Sequence, residues 1–190
     1  MTLRALAVLV ALALPLAAHA ASPSATATLK NPDGKDVGHA TFAAKKGGVK
    51  IQVTVAGLSP GKHGIHLHEV GKCDPPDFKS AGGHVNPAER HHGLENPEGP
   101  HAGDLPNLFV GTNGKAKASF TAKGVSLSDG KGSLLGPEGS AIVIHAAPDD
   151  MRTDPAGNSG ARVACGVIQR KWERPAPGGR PRVLPGSGSS

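Results

Sequence analysis

Apolar and polar residues alternate along several short stretches of the chain. In residues 49–55, valine and isoleucine alternate with lysine, glutamine and threonine, and residues 115–120 show the same period of two. The alternation is weaker in residues 25–30 and 39–44. No segment has the period of an amphipathic helix. The pattern therefore predicts short β-strands that each turn one face towards a core.

Turn sequences separate these predicted strands. They are Asn-Pro-Asp-Gly at residues 31–34, Lys-Lys-Gly-Gly at 45–48 and Thr-Asn-Gly at 112–114. Glycine and asparagine adopt the backbone angles that tight turns need. Many short strands joined by such turns predict an all-β sandwich or barrel.

Two long segments interrupt the strand pattern. Residues 71–107 and 146–161 are rich in proline and glycine, and each follows a strand-like run that ends in histidine, at 64–68 and 141–145. Long loops without regular structure in a compact domain are usually functional or disordered. We expect the chemistry of the protein to lie at these two loops.

The first twenty residues have the pattern of a secretory signal peptide. One arginine precedes a short apolar run, and the run ends in Ala-His-Ala, so cleavage is expected after Ala20. A transmembrane anchor is the alternative, but no stop-transfer sequence follows the run. We therefore expect a secreted protein whose mature domain begins at residue 21.

The positive charge of the chain belongs mainly to its C-terminal tail. The whole chain has a formal net charge of +6, but residues 21–169 carry only +1 and residues 170–190 carry +4. The tail is rich in proline, glycine and serine and is predicted to be disordered. It is either simply solvated or in contact with an acidic surface, an anionic membrane or nucleic acid. The domain itself contains no tyrosine or tryptophan for base stacking, so no specific nucleic-acid binding is expected.

The chain has two cysteines, Cys73 and Cys165. In an oxidising compartment such a pair predicts one disulfide bond. Two free thiols or two metal ligands are the alternatives.

Histidines are concentrated in one part of the chain. Seven of the ten lie within residues 63–101, a bias that neither random scatter nor a solvated surface explains. Imidazole is the commonest metal ligand in proteins. The long loop supplies the candidates His84, His91, His92, His101 and Asp104. Histidines together with one aspartate suit a tetrahedral zinc site.

The parity of a strand divides the histidines of the sequence His-Gly-Ile-His-Leu-His. Successive side chains of a strand point to opposite faces. If Ile65 and Leu67 face the core, His66 and His68 share the outer face and suit one metal ion. His63 has the parity of the apolar residues, so we expect it to be structural or to support a ligand.

Five segments resemble the signature sequences of copper/zinc superoxide dismutases, in the same order and at similar spacings. They are GKHGIHLHEVGKC, AGGHVNP, HAGDLPNL, IVIHAAPDD and GNSGARVACGVI, and the resemblance spans residues 25–169. It implies a Greek-key barrel or sandwich of about eight antiparallel strands. It also implies an enzyme that converts superoxide to molecular oxygen and hydrogen peroxide, protecting against oxidative stress. One copper ion and one zinc ion per subunit are implied, with copper cycling between Cu(II) and Cu(I).

The resemblance also assigns site residues. It implies the copper ligands His66, His68, His84 and His145. It implies the zinc ligands His84, His92, His101 and Asp104, with His84 bridging the metals. His92 lies at the family's distance after His84, although the neighbouring His91 leaves the register open. The implied roles outside the ligand sets are catalysis by Arg162 and His84, orientation of ligands by Asp149, and a disulfide between Cys73 and Cys165.

Some properties stay open at this stage. The loop between Cys73 and His84 lacks an insertion that many bacterial members have, and the basic tail lies outside the family pattern. The oligomeric state, monomer or homodimer, therefore stays undetermined. A bacterial periplasmic location is expected. A non-catalytic metal carrier with the same fold is the main alternative, while a closed zinc site disfavours a zinc hydrolase.

Overall fold

The computed structural model describes residues 24–171. The predicted signal peptide and residues 172–190 of the predicted tail lie outside the described part of the chain. The strands are β1 Ser24–Lys30, β2 Asp36–Lys45, β3 Gly48–Ala56, β4 Gly61–His63, β5 Ile65–His68, β6 Leu108–Val110, β7 Lys115–Ala122, β8 Ala141–His145, β9 Arg162–Val167 and β10 Gln169–Arg170. A single turn of 3-10 helix covers Lys79–Ala81.

The strands form one large curled sheet and one small sheet. The large sheet has the order β5-β8-β9-β1-β2-β3-β7, with β10 also paired to β1, and β4 pairs with β6 in the small sheet. Every pairing between named strands is antiparallel. The prediction of an all-β antiparallel fold is confirmed. No helix within residues 24–171 is long and apolar enough to cross a membrane.

The alternating strands build the core as their sequences predict. On β3, the odd-numbered residues from Val49 to Val55 are buried and the intervening residues face outward. They pack with Phe42 of β2, Leu29 of β1 and Ile65 and Leu67 of β5 in one continuous apolar cluster. Burial of each such side chain contributes roughly 1.5–3 kcal/mol. This core fixes the strands from which the two long loops emerge.

Both predicted long loops connect strands of the barrel. One joins β5 to β6, and the other joins β8 to β9. A disulfide between Cys73 and Cys165 ties the first loop to β9, with 5.7 Å between the two Cα atoms. The strand β10 continues the pairing to Arg170, the first residue of the predicted tail.

Candidate metal centre

The strands β5 and β8 place three histidines on one side of the sheet. His66 pairs with Val143 and His68 with Ala141, while Ile65 and Leu67 enter the core as parity predicts. His145 ends β8 on the same side. The outer face is not open to solvent, because the two long loops cover it and His66 is 0% exposed.

Four imidazole nitrogens converge in this covered space. They are His66 Nδ1, His68 Nε2, His84 Nε2 and His145 Nε2. The ligand atoms of these residues lie within 4.8 Å of one another. They are the buried side-chain nitrogen or oxygen atoms without a hydrogen-bond partner among residues 24–171. Leaving a buried polar atom unpaired costs free energy, so this arrangement fits a bound cation.

Hydrogen bonds at the other ring nitrogen orient three of these imidazoles. The bonds are His66 Nε2 to Asp149 Oδ2 (2.7 Å), His68 Nδ1 to the Gly82 carbonyl (3.0 Å) and His145 Nδ1 to the Gly160 carbonyl (3.2 Å). Each ring donates its proton outward, so the convergent nitrogen keeps its lone pair.

Burial keeps three imidazoles of this set uncharged. Desolvation lowers the pKa of His145 to about 3 and that of His84 to about 4, and it holds the pKa of His68 well below its usual value. In the metal-free protein these rings are therefore neutral at pH 7 and able to bind a metal.

A second donor set shares His84 with the first. Asp104 Oδ1 lies 2.8 Å from His84 Nδ1, 3.1 Å from His92 Nδ1 and 3.3 Å from His101 Nδ1. Asp104 Oδ2 accepts the backbone N–H groups of Gly93 and His101, each at 2.9 Å. Three nitrogens and one carboxylate oxygen therefore face one point, as a closed tetrahedral zinc site requires.

Asp149 links the two donor sets. Its Oδ2 accepts the proton of His66, and its Oδ1 lies 3.0 Å from His92 Nε2. Although burial opposes the charge of His92, its hydrogen bonds with Asp104 and Asp149 raise its pKa to about 9. Burial likewise opposes the charges of the two carboxylates, but their histidine partners keep both pKa values well below the usual range.

Two residues that sequence reasoning missed hold Asp149 in place. Asn107 accepts the backbone N–H of Asp149 at 2.8 Å and donates to its carbonyl at 2.9 Å. Gly157 has a φ of +60°, and a Cβ there would lie 1.8 Å from Asp149 Oδ1. Only glycine leaves room for this carboxylate. A glycine within a Gly-rich loop gives no sequence signal for such a role.

The structure brings His92, and not His91, into the cluster. The side chain of His91 is 57% exposed and contacts Asp154 at 2.5 Å. The same carboxylate accepts the backbone N–H of His92 at 2.6 Å. His91 therefore belongs to the surface, while Asp154 anchors the backbone of its neighbour.

His63 lies behind the cluster rather than within it. Its Nδ1 lies 2.7 Å from the His145 carbonyl, and its Nε2 lies 2.9 Å from the Ser59 carbonyl. Both ring nitrogens are occupied by backbone contacts. This is the structural role that the strand parity predicts.

Arg162 is held at the edge of the first donor set by carbonyl groups of the long loop. It donates to the carbonyls of Phe78 (2.7 Å) and Gly82 (2.8 Å). The Gly82 carbonyl also accepts the proton of His68, so one oxygen orients both side chains. Arg162 lines an open cavity of about 600 Å³ together with Gly160 and Lys79. A small anion has room to reach the guanidinium there.

Comparison with known proteins gives a consistent result. The profile of the family described as copper/zinc superoxide dismutase (SODC) matches residues 37–168. Superoxide dismutase (Cu-Zn) of Caulobacter vibrioides is 50% identical over 149 residues, covering 77% of this chain and 86% of that protein. Superoxide dismutase (Cu-Zn) 1 of Aquifex aeolicus is 47% identical over 145 residues, covering 75% and 86%.

The solved structures agree with the sequence relatives. The crystal structure of a SOD-like protein from Bacillus subtilis has a TM-score of 0.73–0.74 across wild-type and variant forms; the wild type is 43% identical and covers 76% of this chain and 97% of that one. The profile match, the two relatives and the shared fold lead to one conclusion. The chain belongs to the copper/zinc superoxide dismutase family.

Proposed function

We propose that this protein is an extracytoplasmic superoxide dismutase with one copper and one zinc ion. The observation that carries the proposal is the pair of donor sets that share His84, the first of which consists of four buried nitrogens without partners. The reaction combines two superoxide anions and two protons to give one molecule of oxygen and one of hydrogen peroxide.

The two sets differ in the chemistry that they suit. His66, His68, His84 and His145 offer four imidazole nitrogens, which suit copper. When bound, copper supplies the one-electron change between Cu(II) and Cu(I) that dismutation needs. His84, His92, His101 and Asp104 form a closed set that suits zinc and leaves no position for a hydrolytic water.

Two residues of the chain act on the substrate in this proposal. Arg162 carries a permanent positive charge and planar donors, so it can dock superoxide at the edge of the copper set. His84 Nε2 can hold a proton there and give it to the reduced substrate. Because Asp104 fixes the other side of the ring at 2.8 Å, this nitrogen stays aimed at the same point.

The disulfide supports a location outside the cytoplasm. Cys73 and Cys165 are bonded, and such bonds persist in oxidising compartments. Together with the predicted signal peptide, this favours the bacterial periplasm. The oligomeric state, monomer or homodimer, is a matter for mass measurement in solution. A non-catalytic metal carrier would need no docking arginine, and this chain has Arg162 beside a complete donor set.

The first prediction concerns the activity itself. The protein loaded with both metals should remove superoxide, and the His145→Ala variant should lose the activity because the copper set loses a donor. The measurement is a superoxide-removal assay on samples of known metal content. A fully metallated protein no faster than free copper would refute the proposed function.

The second prediction concerns Arg162. Arg162→Ala should lower the rate about 10–100-fold while copper and zinc stay bound, because a charged hydrogen bond contributes about 1.5–3 kcal/mol. Arg162→Lys keeps the charge and should retain an intermediate rate whose salt dependence resembles that of the wild type. Equal rates for wild type and Arg162→Ala at low ionic strength would contradict a docking role.

The third prediction separates the two adjacent histidines. His92→Ala should lose zinc, because a ligand and the contact with Asp149 both disappear. His91→Ala is the matched control and should retain zinc, since its side chain lies at the surface. Elemental analysis of the purified variants makes the comparison, and the opposite pattern would move the zinc ligand by one residue.

The fourth prediction concerns protons released on metal binding. Without metal, His92 has a pKa of about 9, so zinc must displace its proton at pH 7. The affinity for zinc should therefore rise about tenfold per pH unit up to about pH 9. His145, with a pKa of about 3, is already neutral above pH 5, so copper binding at this set should show a much weaker pH dependence. Calorimetry in two buffers of different ionisation enthalpy measures the protons released. Equal release for the two metals would contradict this assignment.

A further inference from the structure

One surface of the barrel carries a single kind of charge. The strands β3, β4, β6 and β7 contain four lysines and neither aspartate nor glutamate. These lysines, all exposed, are Lys50, Lys62, Lys115 and Lys117. Three more exposed lysines lie next to these strands: Lys45 at the end of β2, Lys46 in the turn before β3, and Lys123 directly after β7. We call these seven residues and the strand surface between them the lysine face.

Strand pairing makes the lysine face continuous. β3 pairs with β7, β4 pairs with β6, and β6 contacts β7. Neighbouring strands lie about 4.8 Å apart, so four adjacent strands give a surface about 15 Å wide. The odd-numbered residues of β3 from Val49 to Val55 are buried in the core, which directs the polar residues of that strand outward.

A large apolar side chain is exposed on this face. Phe109 lies directly opposite Lys62 in the pairing of β4 and β6 and is 69% exposed. Among the described residues the only other large hydrophobic side chain classed as exposed is Leu94, at 41%, and it lies in a loop. Single exposed apolar residues are common on proteins. An aromatic ring opposite a lysine on a lysine-rich surface is more specific, because both groups favour the interface of an anionic bilayer.

The acidic residues lie elsewhere in the molecule. Of those in the described chain, most belong to the two long loops and the connection before β8: Glu69, Asp74, Asp77, Glu89, Glu95, Glu98, Asp104, Asp129, Glu138, Asp149, Asp150 and Asp154. The small net charge of residues 21–169 therefore conceals a separation between a basic barrel surface and acidic loops. Such a separation orients a protein in an external field.

A groove at one end of the lysine face has room for a headgroup. It has a volume of about 590 Å³ and is lined by His39, Lys115 and Lys117 above an apolar floor that includes Val55. Its one carboxylate, Asp36, is ion-paired with Lys30. The groove therefore presents unpaired lysines beside an apolar surface. This combination suits a phospholipid, whose phosphate would contact the lysines and whose glycerol would contact the apolar surface.

We propose that the lysine face docks the protein on a bilayer surface rich in anionic phospholipids, with Phe109 entering the headgroup layer. Each lysine near such a surface raises the binding affinity about fivefold. Nucleic acid is a poorer fit, because one phenylalanine cannot stack successive bases. A second copy of the chain is also a poorer fit, because two lysine faces repel each other. The metal-binding cluster lies on β5, β8 and the loops, so docking is independent of the proposed function.

Binding of the metal-loaded protein, residues 21–190, to vesicles tests the proposal, because the predicted signal peptide would bind a bilayer by itself. Vesicles of phosphatidylcholine mixed with phosphatidylglycerol should sediment with the protein, while vesicles of phosphatidylcholine alone should not. The double variant Lys115→Glu with Lys117→Glu should lower the partition coefficient at least about tenfold. Lys35→Glu with Lys131→Glu makes the same change in charge at exposed sites outside the face and is the matched control. Every variant keeps residues 170–190, so the charge of the tail is the same in all of them.

Two further measurements complete the test. Phe109→Ser should weaken binding several-fold without removing its salt dependence, and salt at about 1 M should abolish binding because the Debye length falls to about 3 Å. Circular dichroism checks that the variants are folded. Three results would overturn the proposal: no binding of the wild type to the anionic vesicles, equal loss in the face and control variants, or a Phe109-dependent dimer that does not bind vesicles.

Discussion

The centre of this protein depends on the burial of four imidazole nitrogens that have no hydrogen-bond partner among residues 24–171. A cavity of this kind is unfavourable for the bare chain, since each nitrogen gives up water without gaining a hydrogen bond. The remainder of the structure makes the cavity possible. Strands β5 and β8 deliver three of the rings, the long loops exclude water, and the carbonyls of Gly82 and Gly160 take the outward protons of His68 and His145. In the proposed function, a bound metal ion would offset this cost by pairing all four nitrogens at once.

The two donor sets are coupled through few atoms. His84 contributes one nitrogen to each set, and Asp149 contacts His66 of one and His92 of the other. Asn107 in turn fixes both backbone polar groups of Asp149. Each loop is therefore anchored to the barrel and to the other loop. Together these bonds fix the positions of both donor sets relative to the barrel.

The sequence predicts the architecture and the identity of the clustered residues well. Alternation locates β3 and β7, and the histidine bias with strand parity separates His66 and His68 from His63. The short strands β4, β6 and β10 have two or three residues each, too few to show a period. The supporting roles of Gly82, Asn107 and Gly157 escape prediction for a different reason. Gly82 acts through its backbone carbonyl, Gly157 through the absence of a side chain, and Asn107 through its side-chain amide on the backbone of Asp149. Each partner is distant in sequence, so the residue types alone do not predict these contacts.

One carbonyl oxygen holds two side chains of the site in place. The Gly82 carbonyl bonds both His68 and Arg162, and the loop that presents it is tied by the disulfide to the strand on which Arg162 lies. The proposed metal ligand His68 and the proposed anion-docking group Arg162 are therefore both positioned by one oxygen atom, which belongs to a ring closed by the disulfide bond. A chimaera that exchanges this loop between relatives would have to transfer the cysteine and the strand with it. The loop, the disulfide bond and the strand therefore form one structural unit, which would be inherited together rather than as separate residues.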